Sequence, residues 1–333
     1  MAIISSVVNF EGPDAGVFLK PVTENPLITQ LGFEQIDDVV TDQYIYLNGE
    51  LDKITKLRTG CGAKTDTDLG LSITRKQLSP VNLEVFKSQC ADVFDNTVFR
   101  SALKRGVDTA DLSDTEIQTM LLDFVNPVIT RDALRILLLA DTADADADYS
   151  MMDGFYKKLA DGATTDGIPD AGAIVDADLT VANIQGTLQA IYDAQDRKLR
   201  QVPDAEKRFY VTYSVYEAWK TWLQTNAALE SAKTQLVNGL NDITFQGVPL
   251  VRLDIVDEYL SADFSTGSPA TITNPHRVVL TKPDNHVLAL DTVSRYNEVR
   301  FWYSLDDDVN KFKARYMMDY QYKYPELIVV AGF

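Results

Sequence analysis

Asp144, Asp146 and Asp148 alternate with alanine in a run that could turn three carboxylates toward one cation. A calcium-binding EF-hand loop begins with acids at its first, third and fifth positions, yet it also needs glycine at the sixth and a bidentate glutamate at the twelfth. Tyr149 and Phe155 stand at those places, so a solvated helix end or loop is favoured over a calcium site. Asp306-Asp307-Asp308 reads in the same way, as a turn between strands. Neither triplet brings the orthogonal ligands of a two-metal hydrolase. His276 and His286, the only histidines, are preceded by Pro275 and by Asp284-Asn285, which favours surface or turn histidines over a catalytic pair.

Other chemistries find little to work with. No HExxH, GxSxG or GxxxxGK[ST] motif is present, and no GxGxxG follows a strand pattern. Cys61 and Cys90 are too few for a disulfide framework and lack CxxC spacing, which favours a reducing compartment. Glu206, Glu217, Asp254 and Glu258 could in principle supply a carboxylate pair for glycoside hydrolysis, although acids are so abundant here that pairs arise by chance. Lys53, Lys56, Arg58 and Lys64 form a modest basic group diluted by Asp52, Asp66 and Asp68, which suits a solvated loop or one that docks on an acidic neighbour. The sequence therefore assigns no catalytic, cofactor-binding or metal-binding residue.

Charge narrows the class further. The 333 residues carry 31 basic against 49 acidic side chains, a net charge of −18 that repels phosphates and argues against a sequence-specific nucleic-acid binder. Between Asp141 and Thr180 ten aspartates face only Lys157 and Lys158. Hydrophobic content of 45 % suits a folded chain, and length suggests about two domains. The N-terminal residues lack a secretory signal pattern. No apolar run approaches the roughly 20 residues of a membrane helix, so a soluble chain made in the cytoplasm is expected.

Residues 1 to 40 show weak periodicity interrupted by Gly12-Pro13, Pro21 and Pro26, as in an extended arm. Tyr44 to Leu47 and Leu69 to Thr74 predict the two strands of a long hairpin with a loose polar tip at 53–67. Val81 to Cys90 reads as extended, and Asp92 to Lys104 as a short helix closed by Gly106. Ser113-Asp-Thr-Glu116 has capping-box spacing and opens a helix of about 25 residues, with a bend or break expected near Asn126 because of Pro127. A second helix is expected from Thr180 to about Leu199, a strand at 208–213, a third helix capped by Ser214-Val-Tyr-Glu217, and a hairpin around 243–250. Strands then dominate: 277–281, 287–291, 297–304, 311–324 and 327–330.

The run from Lys311 to Tyr324 is the most informative of these. Phe312, Ala314, Tyr316, Met318, Tyr320, Tyr322 and Tyr324 alternate with mostly polar residues, which predicts one packed face and one wet face. Fully extended it would reach roughly 45 Å, far beyond an ordinary strand. With 297–304 and a turn at 305–308 it forms a long ribbon whose Phe312/Ala314/Tyr316/Met318 face should pack on the helix at 113–140. Its Lys311/Lys313/Arg315 face should be exposed or turned toward a neighbouring subunit.

This order of elements resembles the major capsid protein of tailed bacteriophages, the Hong Kong ninety-seven type of shell fold. Leu78-Ser-Pro-Val-Asn-Leu-Glu-Val85 with Asp92-Val-Phe94 resembles the return from the extended loop, and Leu137-Leu-Leu-Ala-Asp141 with Met152-Asp-Gly-Phe-Tyr156 the exit from the spine helix. Thr244-Phe-Gln-Gly-Val-Pro-Leu250 resembles an axial-domain hairpin, and Asn310 to Tyr324 with Pro325-Glu-Leu-Ile-Val-Val330 the peripheral and closing strands. The resemblance implies an α+β fold with an N-terminal arm (1–40), an extended β-hairpin loop (41–80), a peripheral domain with a long spine helix and long β-strands (81–150 and 293–323), and a mixed α/β axial domain (151–292 and 324–333). It implies a non-enzymatic shell protein that self-assembles into hexamers and pentamers of an icosahedral or prolate double-stranded-DNA phage head. Expected partners are itself, a portal protein, and separate scaffolding or decoration proteins; no membrane, sequence-specific nucleic acid or cofactor is expected. The virion capsid, reached from the host cytoplasm, is the expected location. An encapsulin-type nanocompartment shell and, more weakly, an acidic carboxylate-dependent hydrolase are the alternatives. The acidity also suits a container that must release its DNA.

Overall fold

A computed structural model of the chain describes residues 8–9, 26–49, 72–94, 116–226, 243–263, 275–291 and 300–333. The hairpin tip, its basic group, Cys61, most of the expected 92–104 helix and the Ser113 capping box lie outside the described residues. Strand β1 (Val8–Asn9) precedes helix α1 (Pro26–Leu31). Pro26 does not interrupt structure as the sequence suggested. It opens α1, because the first helical turn has no use for the missing N–H, and Ile28 and Leu31 enter the core. Gly32, at φ +70°, ends the helix and feeds β2 (Glu34–Ile36), so this part of the expected arm is built into the molecule.

Strands β3 (Gln43–Asn48) and β4 (Ile73–Leu78) pair antiparallel, with Tyr46 opposite Arg75, and β5 (Val81–Gln89) follows. The second hairpin strand is described from Ile73; the Leu69 start read from alternation lies outside the described residues. Helix α2 (Glu116–Leu139) runs for 24 residues and continues unbroken through Pro127, where a bend or break was expected. Its C-terminal half buries Ile129, Ala133, Leu134, Leu137 and Leu138, and that packing outweighs the single intrahelical bond the proline deletes.

Helix α3 (Phe155–Thr165) is followed by α4 (Ile184–Asp193) and α5 (Arg197–Gln201), where one helix from Thr180 to Leu199 was expected. Asp196 causes the restart: its side chain accepts the Lys198 N–H at 2.9 Å and caps a new helix. Strand β6 (Arg208–Val211) leads into α6 (Tyr213–Thr225), whose N-cap is Thr212 and not Ser214. Strands β7 (Thr244–Phe245) and β8 (Val248–Arg252) are joined by Gln246-Gly247 at φ +52° and +83°, the two left-handed residues of a type I′ turn. Helix α7 (Asp254–Ala262) and strands β9 (Val278–Thr281), β10 (His286–Asp291), β11 (Arg300–Ser304), β12 (Val309–Tyr322) and β13 (Ile328–Ala331) complete the chain.

A six-stranded sheet has the order β1-β11-β12-β10-β2, with β5 also on β12, and a five-stranded sheet the order β13-β9-β6-β8-β7. The 14 residues of β12 are flanked by β11 over 309–313, by β5 over 310–318 and by β10 over 317–322, all antiparallel. The long strand thus finds its backbone partners within its own chain. Phe312, Ala314, Tyr316 and Met318 share one core with Ile129, Ala133, Leu134 and Leu137 of α2, as their alternation required.

The opposite face departs from the expectation. Lys313 and Arg315 meet Glu84 of β5 at 3.5 and 2.6 Å, and Lys311 pairs with Asp307, so these cations are half-buried and paired internally. Met317 and Asp319, placed by alternation on the wet side, are buried. Beside this half of β12, Val39 and Leu78 pack on Val287 and Ala289 of β10, and Asp319 accepts the Ser79 N–H at 2.7 Å.

A second core wraps the five-stranded sheet with Ile184 and Leu188 of α4 and Val215, Trp219 and Leu223 of α6. The Trp219 and Trp222 rings stack at 4.7 Å. Phe33 joins the two sheets, with its ring 5.0 Å from His286, 5.7 Å from Tyr210 and 5.9 Å from Tyr320. Among the described residues no helix is long and apolar enough to cross a membrane.

Candidate assembly surface

The groups singled out for chemistry do not converge. Two of the three carboxylates of the aspartate run, and that of Asp141 before it, are used by the local backbone: Asp141 Oδ1 accepts the Ala143 N–H, Asp144 Oδ1 the Asp146 N–H and Asp146 Oδ1 the Asp148 N–H, each at 2.9 Å. These successive Asx turns carry the chain out of α2 and need no ion to hold them. Among the described residues no group of three or more His, Cys, Asp or Glu side chains is arranged to hold a metal. Asp306–Asp308 forms the expected turn, with Asp308 at φ +56° and its carboxylate taking the Tyr303 hydroxyl.

The four candidate hydrolytic carboxylates are each tied to a cation. Glu206 meets Lys282 at 3.4 Å, Glu217 meets Lys220 at 2.9 Å, Asp254 meets Arg252 at 2.5 Å and Glu258 meets Arg131 at 3.6 Å. Glu217 and Asp254 come together on a shared cation, Arg252, at 4.0 and 2.5 Å.

Both histidines are buried, against the surface placement expected from their neighbours in sequence, although His286 does close the turn at Pro283–Asn285. Burial between Phe33, Phe155 and Tyr320 pushes the His286 imidazole down to about 3, so it is neutral. Its partners define the tautomer. The Thr281 hydroxyl donates to the Leu327 carbonyl at 3.0 Å and therefore accepts from Nε2–H at 2.9 Å, leaving Nδ1 to accept the Tyr320 hydroxyl at 2.6 Å. His286 is a satisfied core residue.

His276 belongs to a constellation that sequence reading missed. Its Nδ1 lies 2.8 Å from Ser214 Oγ and its Nε2 2.6 Å from Asp176 Oδ1, a serine–histidine–aspartate chain. A hydrolase would also need free N–H groups to stabilise an oxyanion beside the serine. The N–H groups of Tyr213 and Ser214 instead point at Asp257, with Tyr213 N 2.5 Å from its carboxylate. The set fastens the 3-10 turn at Asp176–Leu179 to the start of α6. Separations of 62 and 100 residues left no motif for sequence to show.

What the surface does present is apolar area on projecting elements. In the β3–β4 hairpin Leu78 at the base and Leu47, opposite Thr74 near the outer end of the described strands, are buried, and Lys76 pairs with Asp166 at 2.5 Å while lying 3.7 Å above the Tyr322 ring. Tyr46, opposite Arg75, is 68 % exposed, and Ile73, at the outer end, 59 %. A two-stranded hairpin with such a surface is marginal in water by itself. On α2, Phe124 and Val128 are exposed, and beside them a groove of about 670 Å³ lies between Pro127, Leu134, Leu253 and Ile255. Phe86 on β5 and Leu305 in the β11–β12 turn add further exposed apolar side chains.

By sequence, no family model and no curated protein matches this chain. By structure it is similar to solved phage shells. A chain of the satellite phage P4 procapsid that includes the size determination (Sid) protein matches with a TM-score of 0.57 at 11 % identity, covering 98 % of this chain and 93 % of that one. A chain of the capsid of the myovirus phage XM1 gives 0.55 at 10 % identity, over 91 % of this chain and 90 % of that one. A chain of the capsid of the native GTA particle gives 0.54 at 11 % identity, over 99 % and 94 %. The fold is that of phage capsid shells, the Hong Kong ninety-seven type, and it spans nearly the whole chain.

Proposed function

We propose that this chain is the major shell subunit of a tailed-phage head, self-assembling into hexamers and pentamers around double-stranded DNA. The observation that carries the reading is the β3–β4 hairpin, which leaves its base bearing Tyr46 and Ile73 outward with no cover from the described parts of its own chain. Burial for such a surface comes most simply from another copy, repeated around a closed shell. The shell fold adds to this, because the matched structures are described as a procapsid, a capsid and the capsid of a native particle. Residues 1–40 then supply the arm, whose stretch from α1 to β2 is anchored in the core, 41–80 the extended loop, 81–150 with 293–323 the peripheral domain, and 151–292 with 324–333 the axial domain. A portal protein and separate scaffolding or decoration proteins are the further partners this role calls for, and the virion capsid is its place.

The test is particle size. Full-length protein examined by light scattering and negative-stain electron microscopy is expected as rings of five and six subunits or as closed shells. A monomer of 37.1 kDa that persists at high concentration would overturn the reading.

A further inference from the structure

Residues 310–313 of β12 pair with β11 as well as with β5, and residues 317 and 318 pair with β10 as well as with β5. A strand has two sides, so β10 and β11 share one side of β12 and β5 holds the other alone. β5 is therefore an edge, nine residues long. Among the described residues its backbone bonds only to β12, which leaves the N–H and C=O groups of alternate residues pointing outward without a protein partner.

The other edges of the two large sheets are short or covered. β1 has two residues, β2 three and β7 two, while the free side of β13 exchanges bonds with Pro169 and Ala171. β5 carries none of the usual protections of an edge, having no proline, no bulge and one lysine, Lys87. Its single acid, Glu84, is held by Lys313 and Arg315 of β12. Asn82, Glu84, Phe86, Lys87 and Ser88 are exposed, whereas Leu83, with Val81 and Val85, packs on the core that α2 shares.

What completes a long open edge is another extended strand. β5 is complementary to itself. Laid antiparallel about a two-fold axis through Val85, Asn82 faces Ser88 of the second copy, Glu84 faces Phe86, and all nine residues find an opposite. Neither Glu84 nor Lys87 then meets its own kind, which would oppose the pairing. An axis perpendicular to the sheet also keeps the Leu83 faces of both copies on one side, so the two α2 helices cover one face of a continuous sheet.

We propose that β5 pairs in this register with β5 of a second copy and so joins subunits of neighbouring rings. The inference rests on the shell reading and names a contact that reading leaves open. Subunits within a ring of five or six meet head to tail, whereas a two-fold contact uses the same patch on both copies and cannot repeat around the ring. It links one ring to the next.

Asn82→Cys combined with Ser88→Cys tests the register. The two positions are six residues apart on one extended strand, about 20 Å, and cannot join within a chain. Across the two-fold they would stand about 4.5 to 5.5 Å apart, within disulfide range. Oxidised particles should yield a covalent dimer in which mass spectrometry finds residue 82 bonded to residue 88, a product that wild-type particles do not give. Charge supplies a second test. Phe86→Glu sets a carboxylate opposite Glu84 of the other copy, twice per contact, and should cut the yield of closed shells about tenfold while leaving rings. Phe86→Lys loses the same ring contact with Trp302 but gains Glu84 as a partner, and should keep shells. Particles that give no 82-to-88 dimer, or shells from Phe86→Glu at wild-type yield, would overturn the self-pairing and leave the shell reading standing. A wild-type chain that forms neither rings nor shells would overturn the shell reading and this contact with it.

Discussion

Lys158 of α3 reaches Asp319 of β12, with Nζ 3.0 Å from Oδ1, and pins a helix to the half of the long strand that is covered on both faces. The Asp319 carboxylate also accepts the Ser79 N–H at 2.7 Å, so a single acid connects α3, β12 and the turn between β4 and β5. Lys158 donates in addition to the Tyr320 carbonyl.

Replacing this acid should be costly. Asp319→Ala leaves the Lys158 ammonium without its counter-charge and the Ser79 N–H without its acceptor, and a loss of about 2 to 3 kcal/mol is expected, at or below the lower end for a fully buried pair because Lys158 is partly exposed and keeps the Tyr320 carbonyl. Asp319→Asn keeps an acceptor for Ser79 and should lose less. Urea unfolding of the two variants against wild type measures both, and an Asp319→Ala loss below that of Asp319→Asn would contradict the arrangement.

The neutral His286 predicts an acid sensitivity with a defined sign. Its folded-state pKa of about 3 lies below the ordinary 6.5, so in the interval between them the unfolded chain binds a proton that the folded chain refuses. Stability from this group is complete above pH 6.5 and falls as pH drops toward 3, with a slope approaching about 1.4 kcal/mol per pH unit. His286→Leu leaves the Tyr320 hydroxyl without its acceptor and lowers stability at neutral pH, but it removes that slope. The difference between wild-type and variant unfolding curves from pH 7 to 4 isolates the effect from the carboxylates, and parallel pH profiles would count against a neutral, buried imidazole.

For the hairpin, Tyr46→Ser combined with Ile73→Ser should separate assembly from folding. Both side chains are largely exposed in the single chain, so its stability should change by no more than about 0.5 kcal/mol per site. Particle formation, followed by electron microscopy at matched protein concentration, should be lost. Shells of normal yield from the double variant would remove the hairpin from the interface.

Local pattern made some of this legible and left the rest hidden. The alternation from Phe312 to Met318 and the Gln246-Gly247 turn each declared themselves, because one residue's environment there depends on neighbours a few positions away. On α2 the helical spacing that runs from Phe124 and Val128 to Leu134 and Leu138 marked a buried face only in its second half, the first two side chains being exposed. Pro26 and Asp196 misled in the other direction. Each carries a signal whose meaning depends on whether it stands at the first turn or inside a helix, and the chain placed both at starts. Met317 and Asp319 could not be placed by alternation, because a period of two reports only which residues share a face and not what comes to cover it.

The amino-acid sequence by itself determined that β12 would be long, that α2 would have a face to pack on it, that acid would dominate the charge, and that no familiar catalytic motif would appear. Tertiary structure alone decided that β12 finds β5, β10 and β11 within its own chain, that His286 sits neutral among aromatic rings, and that Ser214, His276 and Asp176 meet without a free oxyanion site. The division has one physical cause: periodicity and turn chemistry act over a few residues, whereas burial and charge pairing depend on groups a hundred or more positions apart, brought together only when the sheets close over their cores.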